Sequence, residues 1–127
     1  MYKNIVVLIV LLLAIDSIWL FLINKKYSKM VKDIQNDNME LNYYSAIIVY
    51  LFIAFGLYYL VIQGTNNKDN IKKAIIFGLL SYGIYDFTNG AIFKKWDFKL
   101  AIGDTIWGGI LCGLTVFFYN KIFNKIQ

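Results

Sequence analysis

The sequence predicts an all-α fold, an integral membrane four-helix bundle that occupies residues 1–127 as one domain. Hydrophobic residues make up 59% of the chain, and its mean hydropathy of +0.55 is too high for a soluble domain of this size. The chain also contains no proline, so we expect continuous helices. Four apolar stretches each approach the ~20 residues that cross a ~30 Å hydrocarbon core. These stretches are residues 4–23, 43–62, 74–93 and 100–119.

The first stretch follows Lys3 and ends at Ile23, before the letters "NKK". A basic residue followed by an apolar run also begins cleaved signal peptides. This run is long for that role, contains Asp16 and Trp19, and is not followed by a small-residue cleavage site. We therefore expect a retained transmembrane helix.

The segment between the first and second stretches is rich in Lys, Asn and Asp, which predicts a loop in water. Within it, "YSKMVKDI" predicts a short helix on the membrane surface, with Met30, Val31 and Ile34 in one sector. The second, third and fourth stretches are joined by the polar segments "QGTNNKDNIKK" and "KKWDFK".

Four spans place both termini on one side of the membrane, here called the terminal side. The first and third loops lie on the other side, here called the loop side. The terminal side carries six lysines and the loop side seven, so the lysine balance favours neither orientation. Aromatic residues near the span ends fit interfacial belts; these are Tyr43, Tyr44 and Trp96 on the loop side, and Tyr58, Tyr59 and Tyr119 on the terminal side.

Composition excludes several kinds of site. The chain has no His and one Cys, Cys112, so we expect no haem held by His and no Cys/His zinc site. Cys112 is predicted to be a small buried apolar residue. The basic residues are all Lys and are scattered between apolar runs, whereas nucleic-acid binders cluster them. We therefore expect the lipid bilayer, and not a nucleic acid, as the partner.

Three carboxylates lie inside the apolar stretches: Asp16, Asp86 and Asp104. At about 1.5 Å per residue, they lie roughly 10, 10 and 6 Å from the loop-side ends of their helices. The helix of Asp104 runs opposite to the other two, yet all three acids reach nearly one depth. A buried Asp is costly, and acids with unrelated structural roles have no reason to share a level. This agreement predicts a shared polar site.

Each acid is accompanied by small or polar residues at helical spacing. Asp16 and Trp19 are neighbours at i and i+3, so the indole N–H can reach the carboxylate level or a partner helix. The predicted polar site consists of Asp16, Trp19, Tyr85, Asp86, Thr88, Asn89, Asp104 and Trp107. The predicted helix-packing glycines are Gly83, Gly90, Gly108, Gly109 and Gly113.

Carboxylates at one level in a low dielectric repel one another, so one is protonated or a cation lies between them. Oxygen ligands suit a proton, a hard metal cation or an amine; any metal would be held by Asp16, Asp86 and Asp104. Binding or translocation of such a ligand is the first functional hypothesis, and a carrier with four spans would require a homo-oligomer. The alternatives are a lipid-modifying enzyme with an Asp acid/base pair and an assembly subunit with structural acids.

The motifs "IDSIWL" (15–20), "YGIYDFTN" (82–89) and "GDTIWGG" (103–109) resemble those of a family of small predicted membrane proteins, domain of unknown function 2177 (DUF2177). The resemblance covers essentially the whole chain and implies four spans. The chain departs from the family in carrying Lys where relatives often have Arg, and in having a longer first loop. It implies no particular activity. The signature positions that it implies are Asp16, Trp19, Tyr85, Asp86, Thr88, Asn89, Asp104, Trp107 and Gly108.

Overall fold

The structure is a computed structural model that describes residues 1–123, of which 85% are helical. This part of the chain contains four helices and no strand, which confirms the predicted all-α fold. The helices are α1 (Tyr2–Gln35), α2 (Tyr43–Gly56), α3 (Asn67–Ile92) and α4 (Phe98–Ile122), and α2 continues directly into a π-helical segment (Leu57–Ile62).

Three of the helices are long and apolar enough to cross a membrane: α1, α2 with its π-helical segment, and α4. The third helix, α3, has 26 residues but is not among them. Polar residues such as Asp86 and Asn89 lower its hydropathy, and Asp86 is buried against the other helices. A fourth span along α3 therefore stays a prediction.

The first helix extends beyond the predicted span of residues 4–23. Its 34 residues measure about 51 Å, against the ~30 Å of a hydrocarbon core. It ends at Asn36, which adopts the left-handed conformation (φ 58°) and donates its backbone N–H to the Lys32 carbonyl. The segment predicted as a loop with a separate surface helix is thus a continuation of α1.

This extension packs on the turn between α3 and α4. Met30 is buried in a cluster with Trp96 and Ala101, and its sulfur accepts the Asp97 backbone N–H at 3.3 Å. Trp96 is only 7% exposed and packs against Met30 of α1. Tyr119 is likewise buried, at 1% exposed, whereas Tyr43, Tyr44 and Tyr59 are exposed.

The most extensive helix contact joins α3 and α4. A Cβ added to Gly108 would lie 2.4 Å from the Tyr82 ring and 2.6 Å from the Gly78 carbonyl oxygen, so the two backbones meet where side chains are absent. Gly78 was not among the predicted packing glycines. The four predicted packing glycines other than Gly108 also lie against side chains across the α3–α4 contact: Gly83 beside Thr105, Gly90 beside Phe98, Gly109 beside Leu79 and Gly113 beside Ile75.

The terminal-side half of the bundle has an apolar core. Leu8 and Leu12 of α1 pack there against Leu57 of the π-helical segment and Val116 of α4, and all four are fully buried. Cys112 is part of this core, as expected. A layer of polar contacts begins at the loop-side end of this core.

Candidate functional site

A reciprocal pair of hydrogen bonds joins α1 to α4 in the loop-side half of the bundle. Trp19 of α1 donates its indole N–H to Oδ1 of Asp104 at 2.9 Å. Trp107 of α4 donates its indole N–H to Oδ1 of Asp16 at 2.8 Å. The two indoles stack with ring centroids 5.5 Å apart and an angle of 11° between planes. The carboxylate and the indole of each helix therefore bond to the other helix.

The repeated local sequence explains this exchange. Both helices carry Asp-x-x-Trp, at Asp16 with Trp19 and at Asp104 with Trp107. Three residues rise about 4.5 Å along a helix, so in antiparallel helices the Asp of one lies level with the Trp of the other. The sequence left open whether the Trp19 indole reaches its own helix or a partner, and in the structure it reaches the partner.

Asp16 is held from two directions. It is 4% exposed, and while Oδ1 accepts from Trp107, Oδ2 accepts from the Tyr50 hydroxyl of α2. Tyr50 was not predicted as a site residue, although its position gave a signal. It lies seven residues, or about 10 Å, inside the loop-side end of its span, and a hydroxyl at that depth needs a partner. Asp16 thus connects α1, α2 and α4.

Asp86 of α3 is 2% exposed, and its carboxyl group lies beside that of Asp104 on α4. Its Oδ2 atom is buried and has no hydrogen-bond partner within residues 1–123. Two carboxyl groups form a hydrogen bond only when one of them carries a proton. A hydrogen bond between Asp86 and Asp104 would therefore require a proton on one of the two carboxyl groups.

A pair of tyrosine hydroxyls lies beside this contact, towards the loop side. Tyr27 of α1 and Tyr85 of α3 are hydrogen-bonded through their hydroxyl groups, and both rings meet Trp96 edge-on, with centroids 6.1 Å away. Tyr85 also contacts Asn89. Tyr27 was missed because it falls in the segment that the sequence predicts as a loop. Thr88, which the sequence predicted as a site residue, is exposed on the surface of α3.

The described residues contain no group of three or more His, Cys, Asp or Glu side chains placed to hold a metal ion. Asp16 is turned towards two donors, Tyr50 and Trp107, which are groups that a metal ion would have to displace. Asp104 is the member that interacts with both other acids. The geometry therefore gives a carboxyl pair, Asp86 with Asp104, next to a separately bonded Asp16.

An apolar groove of about 610 Å³ runs along the outer surface of α3. A cleft that opened sideways onto the acids would favour lipid chemistry. Neither Asp86 nor Asp104 lines this groove. Its lining residues are Leu79, Leu80, Gly83, Ile84, Phe87, Thr88, Ala91 and Ile92.

The model of the DUF2177 family, described as a predicted membrane protein, matches residues 1–119. The chain belongs to the DUF2177 family. No curated protein and no solved structure matches it. In this DUF2177 member the three motifs that carried the resemblance contact one another: the first and third through the two Trp–Asp bonds, and the second and third through Asp86 and Asp104.

Proposed function

We propose that this DUF2177 protein binds a proton within the membrane, between the carboxyl groups of Asp86 and Asp104, and exchanges it with the loop side. The observation that carries the proposal is the contact of these two acids in a setting where Asp86 is 2% exposed. A second negative charge at such close range in a low dielectric is costly, and a shared proton removes it.

The contrast with Asp16 supports a functional rather than a structural role for Asp86. An acid retained only to hold helices together is expected to have its oxygens occupied by donors, as Asp16 does with Tyr50 and Trp107. Asp86 instead keeps one buried oxygen without a partner in the described chain. Such an oxygen is available to an incoming proton or to a water molecule that carries one.

The neighbouring hydroxyl groups supply a path between this pair and the loop side. Tyr85 directly precedes Asp86 on α3, its hydroxyl bonds to that of Tyr27, and Tyr85 is 47% exposed. Buried carboxyl groups form proton relays in membrane pumps and transporters, and a hydroxyl group can accept one hydrogen bond while it donates another. Asn89, in contact with Tyr85 and one helical turn from it, can hold the Tyr85 hydroxyl in position.

Transport across the whole membrane would need a further step. Between the acids and the terminal side most buried side chains are apolar, and Leu12, Leu57 and Val116 are fully buried there. This conformation therefore holds a proton that enters from the loop side. Translocation would require a second conformation or a second copy of the chain.

Infrared difference spectroscopy on the protein in liposomes tests the proposal. A pH change within the range above about 6, where exposed Asp and Glu side chains are already ionised, should alter the carbonyl stretch of a protonated carboxylic acid in the wild type, and Asp86→Asn should abolish that signal. Asp33→Asn, which alters an exposed acid near the end of α1, is the matched control and should leave it unchanged. A carboxylic acid signal that persists in Asp86→Asn would contradict the proposal.

Proton flux into liposomes that contain a pH-sensitive dye separates binding from transport. A flux that is lost in Asp86→Asn and kept in Asp33→Asn would extend the proposal to translocation. Absence of flux, with the infrared signal intact, would restrict the role to proton binding.

A further inference from the structure

A second site lies at the opposite end of the bundle, on the terminal side. There an open cavity of about 490 Å³ is bordered by the start of α1, the π-helical segment, the turn that follows it, the first turns of α3 and the end of α4. Its volume falls within the range of small-molecule sites. None of the three membrane aspartates lines it.

The cavity has a built polar floor. Asn70 is 1% exposed, and its side-chain amide pairs reciprocally with that of Asn120, at 3.1 and 2.9 Å. Tyr119, also 1% exposed, accepts a hydrogen bond from the Asn4 amide at 2.6 Å. These contacts fix the orientation of side chains that would be costly to bury alone.

The floor keeps hydrogen-bonding capacity beyond these contacts. An amide side chain has two N–H donors and two acceptor lone pairs, and the reciprocal pair uses one of each on Asn70 and on Asn120. The Tyr119 hydroxyl accepts from Asn4 and retains its own hydrogen to donate. The same residues can therefore both donate to and accept from a ligand.

Among residues 1–123, those that line the cavity include no charged side chain. All of its residues except Ile62 and Gly64 bear a neutral hydrogen-bonding group, and amide and hydroxyl groups predominate. A phosphate or a carboxylate would lie here without an opposite charge, which is unfavourable where water is limited. Hydroxyl groups, which donate and accept at once, match this lining without any charge.

The position of the cavity agrees with a ligand at the membrane surface. Tyr58 lies in the last turns of the apolar segment Tyr43–Ile62, and Gln63 and Asn66 belong to the polar turn directly after it. The cavity therefore lies where a helix apolar enough to cross the membrane ends, which is the level of lipid headgroups.

We propose that this cavity binds an uncharged polyhydroxyl group, such as the sugar of a glycosyl lipid or a free sugar. Tyr119 and Asn4 bind its hydroxyl groups at the floor, and Gln63 binds them at the rim. The sugar can come from a lipid or from solution, because the hydroxyl chemistry that recognises it is the same.

Native mass spectrometry of the full chain released from phosphatidylcholine nanodiscs tests the proposal, with monoglucosyl diacylglycerol as the probe and phosphatidic acid as the anionic comparison. The glucosyl lipid should be retained preferentially. Tyr119→Phe removes one hydroxyl from the floor and should weaken retention by about five-fold, the effect of one hydrogen bond. Tyr43→Phe, at an exposed tyrosine outside the cavity, should leave retention unchanged.

The source of the sugar is distinguished by competition. Displacement of the lipid by methyl glucoside would support recognition of the free sugar, and retention in its presence would support a glycosyl lipid. Equal retention of the glucosyl lipid and phosphatidylcholine, or preference for phosphatidic acid, would overturn the proposal. If Tyr119→Phe does not fold, Gln63→Ala in the exposed turn replaces it, and a glucosyl preference unchanged by that substitution would equally overturn it.

Discussion

Trp19 on α1 donates its indole N–H to Asp104 on α4 at 2.9 Å, bonding to the carboxylate of the facing helix and not to that of its own. The bond from Trp107 to Asp16, at 2.8 Å, runs in the opposite direction. Together with the stacked indoles, these bonds set the register of α1 against α4.

Replacement of either indole should destabilise the bundle. Trp107→Phe leaves Asp16 with one donor fewer, and Trp19→Phe does the same to Asp104, so each should lower the free energy of unfolding by about 1–2 kcal/mol. Thermal unfolding in detergent measures the change. Trp96→Phe is the control, because the Trp96 indole N–H is buried without a partner in the described chain and its loss removes no bond. Equal destabilisation by all three substitutions would mean that ring volume, not the hydrogen bond, matters.

The two buried acids should respond differently to amide substitution. Asp16→Asn places an N–H₂ group opposite one of two donors, Tyr50 or Trp107, and should cost about 1–3 kcal/mol of stability. Asp86→Asn can still bond to Asp104 and should fold with nearly wild-type stability while proton binding is lost. Unfolding curves and the infrared assay, recorded on the same two variants, test whether stability and proton binding are lost separately. If Asp86→Asn proved the more destabilising of the two, the acid would have a structural role.

A methyl group at the closest helix contact should separate α3 from α4. Gly108→Ala puts a Cβ 2.4 Å from the Tyr82 ring and 2.6 Å from the Gly78 carbonyl, and should cost about 1–3 kcal/mol. Gly103→Ala, on the same helix, meets nothing nearer than 3.6 Å and should be neutral or stabilising. Thermal unfolding of the two variants provides the comparison, and similar midpoints would argue against tight backbone contact at Gly108.

The amide pair on the terminal side should show strong coupling. Asn70→Leu or Asn120→Leu alone leaves a buried amide without its partner and should cost about 1–3 kcal/mol. The double variant removes both amides, so it should lose less than the sum of the single variants. A double-mutant cycle on unfolding free energies measures the coupling, and simple additivity would show that the pair does not stabilise the fold.

Much of this architecture follows from local sequence. Apolar runs of membrane length predicted the helices, because burial in lipid requires a helix wherever such a run occurs. The common depth of Asp16, Asp86 and Asp104 predicted that polar contacts concentrate in one layer. Depth is a one-dimensional property, so rise per residue suffices to calculate it. In the structure Asp104 interacts with both of the other acids.

The structural features that the sequence did not predict depend on contacts between residues that are distant along the chain. Lys-rich sequence after Ile23 predicted a loop, but Lys is compatible with a helix, and the Met30–Trp96 contact supports the extension of α1. Tyr50 lies in an apolar run with no motif around it, and its role depends on Asp16 of another helix. The Asn70–Asn120 pair joins residues fifty positions apart. No local pattern encodes such a partner.

The exchange of partners between α1 and α4 has a consequence for which positions should change together in evolution. Each motif looks like a unit along the chain, but the bonded units are Asp16 with Trp107 and Asp104 with Trp19. We therefore expect selection to act on these crossed pairs. A homologue in which position 16 has lost its acid should tolerate change first at position 107, while its tryptophan at position 19 persists with the acid at 104.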